Sequence, residues 1–484
     1  MKSSHYSAAG GNSASTSGTI SQPASASGNV SASVVSSANQ ATVAPSASAR
    51  TSASAPASGT SGSVAAATET AQLGRHINLP QAVALYIGAV VGSGILLTPG
   101  ITARMAGPSA LIAWGCMALL ILPLALSMGL LSARYPNAGG VSHFVTIAFG
   151  PKLGALIGWF FLMSVPIGAP VATLTGAGYL TAALGWSEPV RVVIAAVLLL
   201  FSLLVNWIGF QLAGKIQVII VGAIILVLGV AIVVAIPDVR AANFTPFMPH
   251  GWVPVGQAAA MLFWCFIGWE AVSHLSEEFK DPQQAAVRGV MIAAAIVGLL
   301  YLLTAIVTIG TQSYMNNADA SLVHVIGSRL GVWGAVLSGL TAAFICTATS
   351  VAYIGAASRV AFALSRNGYA ARRFSHLSPR FRTPTVGIGF LAMCFMLILS
   401  LYATGWLKLE LLLQLPNSAF ILTYLAGCAA GVRLLWKERL GRWISGISFL
   451  FTLIVFPFTG WAILYPVAIT ILFWLLTRQR AKSH

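Results

Sequence analysis

Charged residues are what this sequence has least of. Only 7 % of its 484 residues are Asp, Glu, Lys or Arg, and 57 % are hydrophobic, where a soluble globular chain carries roughly 25 % charge. A water-soluble fold of this length could not cover its surface with so few, which excludes that class. Acidic residues number 10 against 26 basic ones, for a formal net charge of +16. The basic residues stand singly between apolar segments, a pattern that points away from nucleic acid and toward the loop asymmetry of membrane proteins. Cysteine is sparse too. Cys116, Cys265, Cys346, Cys394 and Cys428 all fall inside apolar stretches, with neither paired spacing nor neighbouring histidines. They imply no disulfide framework and no metal site and read as small packing residues; no cofactor is expected.

What the sequence has instead is a series of apolar stretches of about 20 residues, the length that a hydrocarbon core about 30 Å thick demands of a helix. From Leu79 onward they fall at 79–104, 108–131, 153–184, 189–208, 213–236, 254–276, 286–311, 332–362, 385–404, 409–432, 441–457 and 460–477, the last two separated only by Phe458 and Thr459. Residues 1–72 are of another kind, almost entirely Ser, Ala, Gly, Thr and Val, with Lys2, Arg50 and Glu69 the only acidic or basic residues. Such a tail cannot bury enough surface to offset its ordering entropy and is expected to be disordered. It has no compact apolar run behind a basic start, so no cleaved signal peptide is expected. Placing both termini in the cytoplasm puts 21 of the 26 Lys and Arg inside and leaves only Arg104, Arg191, Arg240, Arg329 and Lys408 outside. Moving the count by one span in mid-chain scrambles this bias.

Two spans carry the marks of interrupted helices. The first reads Ile87-Gly88-Ala89-Val90-Val91-Gly92-Ser93-Gly94-Ile95 and runs on to Pro99-Gly100. Glycine-rich backbone can leave the helix there, but lipid cannot satisfy the freed amides, so a break must face a cavity. Bare N–H groups at the start of the second half-helix would attract a carboxylate. Gly88 and Gly92 also spell a Gly-x-x-x-Gly packing face, which remains an alternative. The second candidate is Phe263-Trp264-Cys265-Phe266-Ile267-Gly268-Trp269-Glu270 in the sixth span. An ionisable Glu270 within an apolar segment is costly and points to a functional site, the alternative being a structural carboxylate bonded to a neighbouring helix. Breaks in spans 1 and 6 have the spacing of two inverted repeats of five spans each, and matched breaks mark a transporter's binding site. Pro166, Gly168 and Pro170 also interrupt the third span, and Pro416, Asn417 and Ser418 lie in the tenth; these line a pathway or kink for packing.

From about Arg75 to Arg442 the sequence resembles the amino acid–polyamine–organocation (APC) transporters. Four motifs carry the resemblance: Gly92-Ser93-Gly94-Ile95 with Pro99-Gly100; Tyr135-Pro136-Asn137-Ala138-Gly139-Gly140; Phe266-Ile267-Gly268-Trp269-Glu270 leading to Glu277-Glu278-Phe279-Lys280-Asp281-Pro282; and Ser358-Arg359 through Ala363-Leu364-Ser365-Arg366-Asn367-Gly368 to Pro379-Arg380-Phe381-Arg382-Thr383-Pro384. Within the family the chain is most similar to the bacterial exporters of methionine and branched-chain amino acids. The resemblance implies an all-α membrane protein of about 12 transmembrane helices, a five-plus-five inverted repeat with helices 1 and 6 broken. It further implies a multi-pass protein of the bacterial cell inner membrane that moves amino acids by alternating access. The expected domains are a cytoplasmic tail (1–72), a first repeat (73–236), a second repeat (252–432) and a final pair of helices with a short basic C-terminus (433–484).

Carried over by position, the resemblance implies that a substrate carboxylate meets the Ser93 hydroxyl and the N–H groups of Ser93, Gly94 and Ile95. The ammonium would meet carbonyls of Val90 and Val91 in the first break and of Trp264, Cys265 and Ile267 in the sixth span. Trp264 falls where relatives place a gating aromatic, and Glu270 where they place a gating or proton-sensing glutamate. The zwitterion's two poles suit a helix N-terminus and unwound carbonyls, and the expected wall of Met163, Val165, Pro170, Trp264, Phe266, Phe344 and Ile345 suits a neutral side chain. Ile224 stands where some relatives have a lysine in place of a sodium ion, which leaves the coupling ion, H+ or Na+, open. A sodium site would draw on carbonyls of Gly88 and Val91 with hydroxyls of Thr349 or Ser350, though such hydroxyls commonly bond their own helix. The expected partners are a small amino acid and the lipid bilayer, with no nucleic acid; the oligomeric state is not legible. Two other classes compete. A membrane-embedded transferase would need several acids or histidines at the membrane edge, but beyond Glu270 there are only Glu277, Glu278 and Asp281 in one loop. A channel or scaffold would not need two matched breaks. An uptake permease of the same fold is the third alternative.

Overall fold

The computed structural model describes residues 77–135, 137, 139–209, 214–269, 279–315 and 318–481. The expected tail, residues 1–72, lies outside them, as do Pro136, Ala138, Glu270, Glu277 and Glu278. Among the described residues every regular element is helical, and the one β pairing is an isolated parallel bridge between Ile77 and Phe279.

The chain enters its first helix, α1 (Leu79–Val90), through a capping box. The Asn78 side chain accepts from the Gln81 amide at 3.1 Å, and the Gln81 side chain accepts from the Asn78 amide at 3.0 Å. Two residues past its end α2 (Ser93–Ala106) starts afresh, and α3 (Ala110–Arg134), α4 (Gly140–Phe149), α5 (Pro151–Leu184), α6 (Glu188–Ile208) and α7 (Gly214–Ala235) follow. The second half opens with α8 (Trp252–Leu262) and a 3-10 turn at Phe263–Phe266, then α9 (Val290–Gly310), α10 (Ser321–Arg366), α11 (Thr385–Ala403) and α12 (Leu409–Leu434). The last two helices are α13 (Arg439–Val455) and α14 (Leu464–Ala481).

Among the described residues nine helical stretches are long and apolar enough to cross a membrane. They cover eleven of the twelve expected spans. One of the nine, Ser93–Arg134, joins α2 to α3, and α2 completes the span that α1 begins. Another, Arg439–Arg478, divides at Gly460, where φ is 59°. The sixth span begins with the shorter apolar stretch Trp252–Phe266.

The two halves repeat one plan. In the first, the short helix α4 ends at Gly150 (φ 99°, ψ 166°) before α5 begins. In the second, the opening residues of α10, 321–330, end at Gly331 (φ 65°, ψ −163°) before the long remainder. Both corners need positive φ, which glycine adopts without the Cβ penalty. Each half thus opens with a broken helix and sets a short hinged helix ahead of its third span. Both short helices escaped the sequence reading because about ten residues is below the length of a span.

α5 is the central helix: 83 % of its apolar window is buried, against 22 % for α6 on the lipid face. The expected interruption at Pro166 and Pro170 is not seen, since α5 is continuous through both. A proline removes one N–H from the ladder, and neighbouring groups can bond the backbone around it. The Met163 carbonyl, about one turn before Pro166, accepts from the Tyr465 hydroxyl at 2.6 Å.

Candidate functional site

Both expected breaks are present. α1 ends at Val91 (φ −76°, ψ 87°), α2 begins after Gly92 (φ −121°, ψ −145°), and no side chain caps the new N-terminus. The first N–H groups of α2 are therefore the unpaired donors of a helix start, placed within the bundle. In the sixth span the helix tightens at Phe263–Phe266 and turns extended at Ile267 (φ −75°, ψ 135°). Gly268 follows at φ 135°, pressed against the Ala89 carbonyl of the first break. The two breaks cross in contact: a methyl at Gly94 would stand 2.8 Å from the Cys265 Cα.

Side chains from other helices bond carbonyls in and beside the breaks. Tyr301 on α9 places its hydroxyl 3.0 Å from the Val90 carbonyl and 3.0 Å from that of Cys265, so one phenol ties the two breaks together. Tyr424 donates to Phe266 at 3.2 Å, Asn417 to Ala260 at 2.7 Å, and Tyr179 to Leu96 at 2.6 Å. The bare N–H groups at the start of α2 favour an anion there.

Between the breaks and the faces of α5, α10 and α12 lies a mostly apolar cavity. Of the residues singled out in the sequence, Val90, Ser93, Gly94, Trp264, Ile267, Thr349 and Ser350 line it. The side chains of Val91, Ile95 and Cys265 do not; Cys265 is buried with its sulfur 2.8 Å from the Thr98 hydroxyl. Trp264 donates its Nε1–H to the Ser93 hydroxyl oxygen at 3.2 Å. Thr349 and Ser350 donate to Ile345 at 3.0 Å and Cys346 at 2.8 Å on their own helix, and their oxygen lone pairs remain. Asp281 accepts from the Gln284 amide at 2.9 Å and caps a helix start at the surface. Ile224 is buried.

The expected wall is partly corrected. Val165 and Trp264 belong to it, but Phe344 is exposed, Ile345 lines a separate cavity of about 300 Å3 with Leu96 and Tyr179, and Phe266 packs on Tyr301 at 5.4 Å between ring centroids. The error is one of helical phase, because Phe344 lies off the face that carries Thr349 and Tyr353. The sequence reading missed Ser164, Ala169, Ala172, Tyr353 and Phe420, while Gly168, read as either lining a pathway or kinking for packing, lines the cavity. A signal was available: Ser164, Gly168 and Ala172 recur every four residues, one small-residue face of α5.

The cavity's two ends differ. Toward α2 it is sealed, every residue from Ser93 to Ala103 being buried, and α2 presses on the backbone of the turn Ala318–Ala320 at Gly100. That turn is held by Arg191, only 6 % exposed, whose Nη1 lies 3.4 Å from both Asp319 and Glu188 while its Nε donates to the Leu174 carbonyl at 2.9 Å. Toward α1 the closure is aromatic: Tyr86 lies 5.7 Å from Trp269 and 6.4 Å from Phe279 between centroids, beside the bridge from the Lys280 amide to Ile77 at 3.0 Å. Among the lining residues Ala89, Gly168, Trp264, Thr349 and Tyr353 are half-buried, whereas Ser93 and Gly94 of α2 are buried.

Comparison with known proteins agrees with this geometry. Residues 77–477 match the amino acid permease family. The chain is 38 % identical to the uncharacterized amino acid permease YecA of Bacillus subtilis, over 82 % of this chain and 94 % of that one. It is 30 % identical to the L-methionine/branched-chain amino acid exporter YjeH of Escherichia coli, over 84 % and 97 % respectively. Identity to the branched-chain amino acid permease BcaP of Bacillus subtilis is 28 %, over 85 % and 93 %. With its helices broken around a central cavity and nearly its whole described length matched, the chain belongs to the amino acid permease family of the APC superfamily.

Proposed function

We propose that this permease is a secondary transporter that moves neutral amino acids such as methionine, leucine, isoleucine or valine by alternating access, in efflux or exchange. The observation that carries the reading is the uncapped N-terminus of α2 facing a mostly apolar cavity. A zwitterion would set its carboxylate on the Ser93 hydroxyl and the N–H groups of Ser93, Gly94 and Ile95. Its ammonium would meet the carbonyls of Val91, Trp264 and Ile267, with those of Val90 and Cys265 shared with Tyr301. The wall of Val165, Ala169, Ala172 and Phe420 supports an uncharged side chain, since a cation or anion there would be left unpaired.

In this proposal residues 73–236 and 252–432 are the two repeats, 433–484 an appended pair of helices, and both termini face the cytoplasm of a bacterial inner membrane. The distribution of 21 of 26 basic residues supports that orientation. The similarity to a methionine and branched-chain exporter favours efflux, and that to a branched-chain permease keeps uptake as the second reading. Coupling to H+ through Glu270, or to Na+ through Gly88, Val91, Thr349 and Ser350, completes the proposal.

The test is transport of labelled leucine and methionine by proteoliposomes, in both directions and under imposed proton or sodium gradients. Ser93→Leu and Gly94→Val are expected to abolish transport while leaving insertion intact, the second because its side chain would overlap the Cys265 backbone. Normal transport by both variants would refute the site.

A further inference from the structure

We propose that Gly168 on α5 sets how large a side chain the cavity accepts, acting through the Trp264 indole; the proposal rests on the transport reading above. The indole is pinned at its pyrrole end, where Nε1 donates to the Ser93 oxygen at 3.2 Å. Tryptophan can only donate, so Ser93 is the acceptor in this pair, and its own proton is left to point elsewhere. At the other end the ring lies over Gly168. A Cβ at that position would stand 3.1 Å from the Trp264 Cη2 and 3.7 Å from Cζ3. The indole therefore spans the cavity as a rigid bar from the start of α2 to α5, with Val165, Ala169 and Ala172 beside its seat.

The bar fits because residue 168 has no side chain. A separation of 3.1 Å is closer than carbon atoms pack comfortably, and optimal contacts lie at about 3.5–4.0 Å. An alanine at 168 would push the ring by a few tenths of an ångström, away from α5. A shift toward Ser93 compresses or breaks the Nε1 bond, and a shift into the cavity removes space where a substrate side chain would lie. Either displacement falls hardest on long or branched side chains and least on a substrate whose side chain is a methyl group. Gly168 is in this sense a positioning residue that selects substrates through Trp264.

The experiment measures transport of labelled leucine, methionine and alanine in the same proteoliposomes, so that ratios between substrates cancel the amount of folded protein. Gly168→Ala is expected to lower leucine and methionine relative to alanine by about tenfold, the lower end of what one methylene contributes to discrimination in a fitted pocket. The double variant Gly168→Ala, Trp264→Phe is expected to restore the ratio, because a phenyl ring is too short to reach residue 168. An equal loss of all three substrates in Gly168→Ala, unchanged ratios, or a double variant that restores nothing would overturn the proposal while leaving the transport reading in place. Failure of the unmodified protein to move any of the three would overturn both.

Discussion

At its α2 end the cavity is shut by backbone lying on backbone and by a buried cation, whereas at the α1 end three aromatic rings and one bridge close it. The materials differ in how they yield. Tyr86, Trp269 and Phe279 meet through ring faces and edges at 5.7 and 6.4 Å, contacts with a broad geometric tolerance. Gly100 and the turn Ala318–Ala320 meet with no side chain between them, and a methyl at Gly100 would stand 2.8 Å from the Ala318 carbonyl carbon. A seal of that kind is either complete or broken, while stacked rings can slide and remain in contact. The alternating access proposed above needs both ends to close in turn, and the two closures would yield differently.

The sharpest way to break this comparison is to place a methyl between the two backbones. Gly100→Ala creates an overlap that no rotamer relieves, and overpacking of this sort costs about 1–3 kcal/mol or more. Leucine transport per inserted molecule is expected to fall about a hundredfold, the equivalent of roughly 2.8 kcal/mol. Gly298→Ala on α9 is the matched control, because its methyl would meet the Ala118 Cβ at an ordinary 3.7 Å, and its transport is expected to stay near normal. Equal losses in the two variants would show that the α2 end is no tighter than any other helix contact.

A smaller effect is expected from the cation that holds the turn. Arg191 threads past Gly178, where a Cβ would stand 2.9 Å from its guanidinium carbon. There it joins α5, α6 and the turn, while Tyr402 donates to Glu188 at 2.6 Å from α11. Arg191→Met keeps most of the length and loses the charge-assisted bonds, each worth about 1.5–3 kcal/mol when buried. The loss is discounted toward the lower figure because the Asp319 and Glu188 side chains are 29 % and 59 % exposed. Transport is expected to fall about tenfold, with a lower unfolding temperature in detergent. An unchanged unfolding temperature would mean that the turn is held by α2 alone.

The breaks were legible in the sequence and the seals were not, for one physical reason. Gly92, Gly94 and Gly268 betray a broken helix locally, since glycines at such spacing in an apolar span weaken the ladder wherever the helix packs. The groups that make a break tolerable come from far away: Tyr301 reaches Val90 across 211 positions of sequence, and Tyr424 reaches Phe266 across 158. Nothing around Tyr301 announces that its hydroxyl meets two carbonyls. Arg191 read as one of five lone outside charges, because a cation that ends a span in solvent and one that turns back to Leu174 have the same neighbours in sequence. The wall residues were half legible for a related reason. Helical phase fixes which residues share a face, but which face meets the cavity is decided by packing, and Phe344 was assigned to the wrong one.

The comparison within the α2 end is sharpened by a second ion pair on the same side of the protein. Arg329, just before the corner at Gly331, grips Asp238 just after α7 with two of its nitrogens, the Nε bond measuring 2.8 Å. Its geometry is better than that of Arg191, yet the two side chains are 43 % and 37 % exposed, where that of Arg191 is 8 %. If geometry alone decided the worth of an ion pair, Asp238→Asn would cost more than Arg191→Met. Exposed pairs contribute little, since water and salt screen them. Transport by Asp238→Asn is therefore expected to stay within about twofold of normal, and the small deficit to shrink as salt is raised. A loss as large as that of Arg191→Met, insensitive to salt, would mean that the corner at Gly331 belongs to the seal and that burial is the wrong measure of which charges hold it.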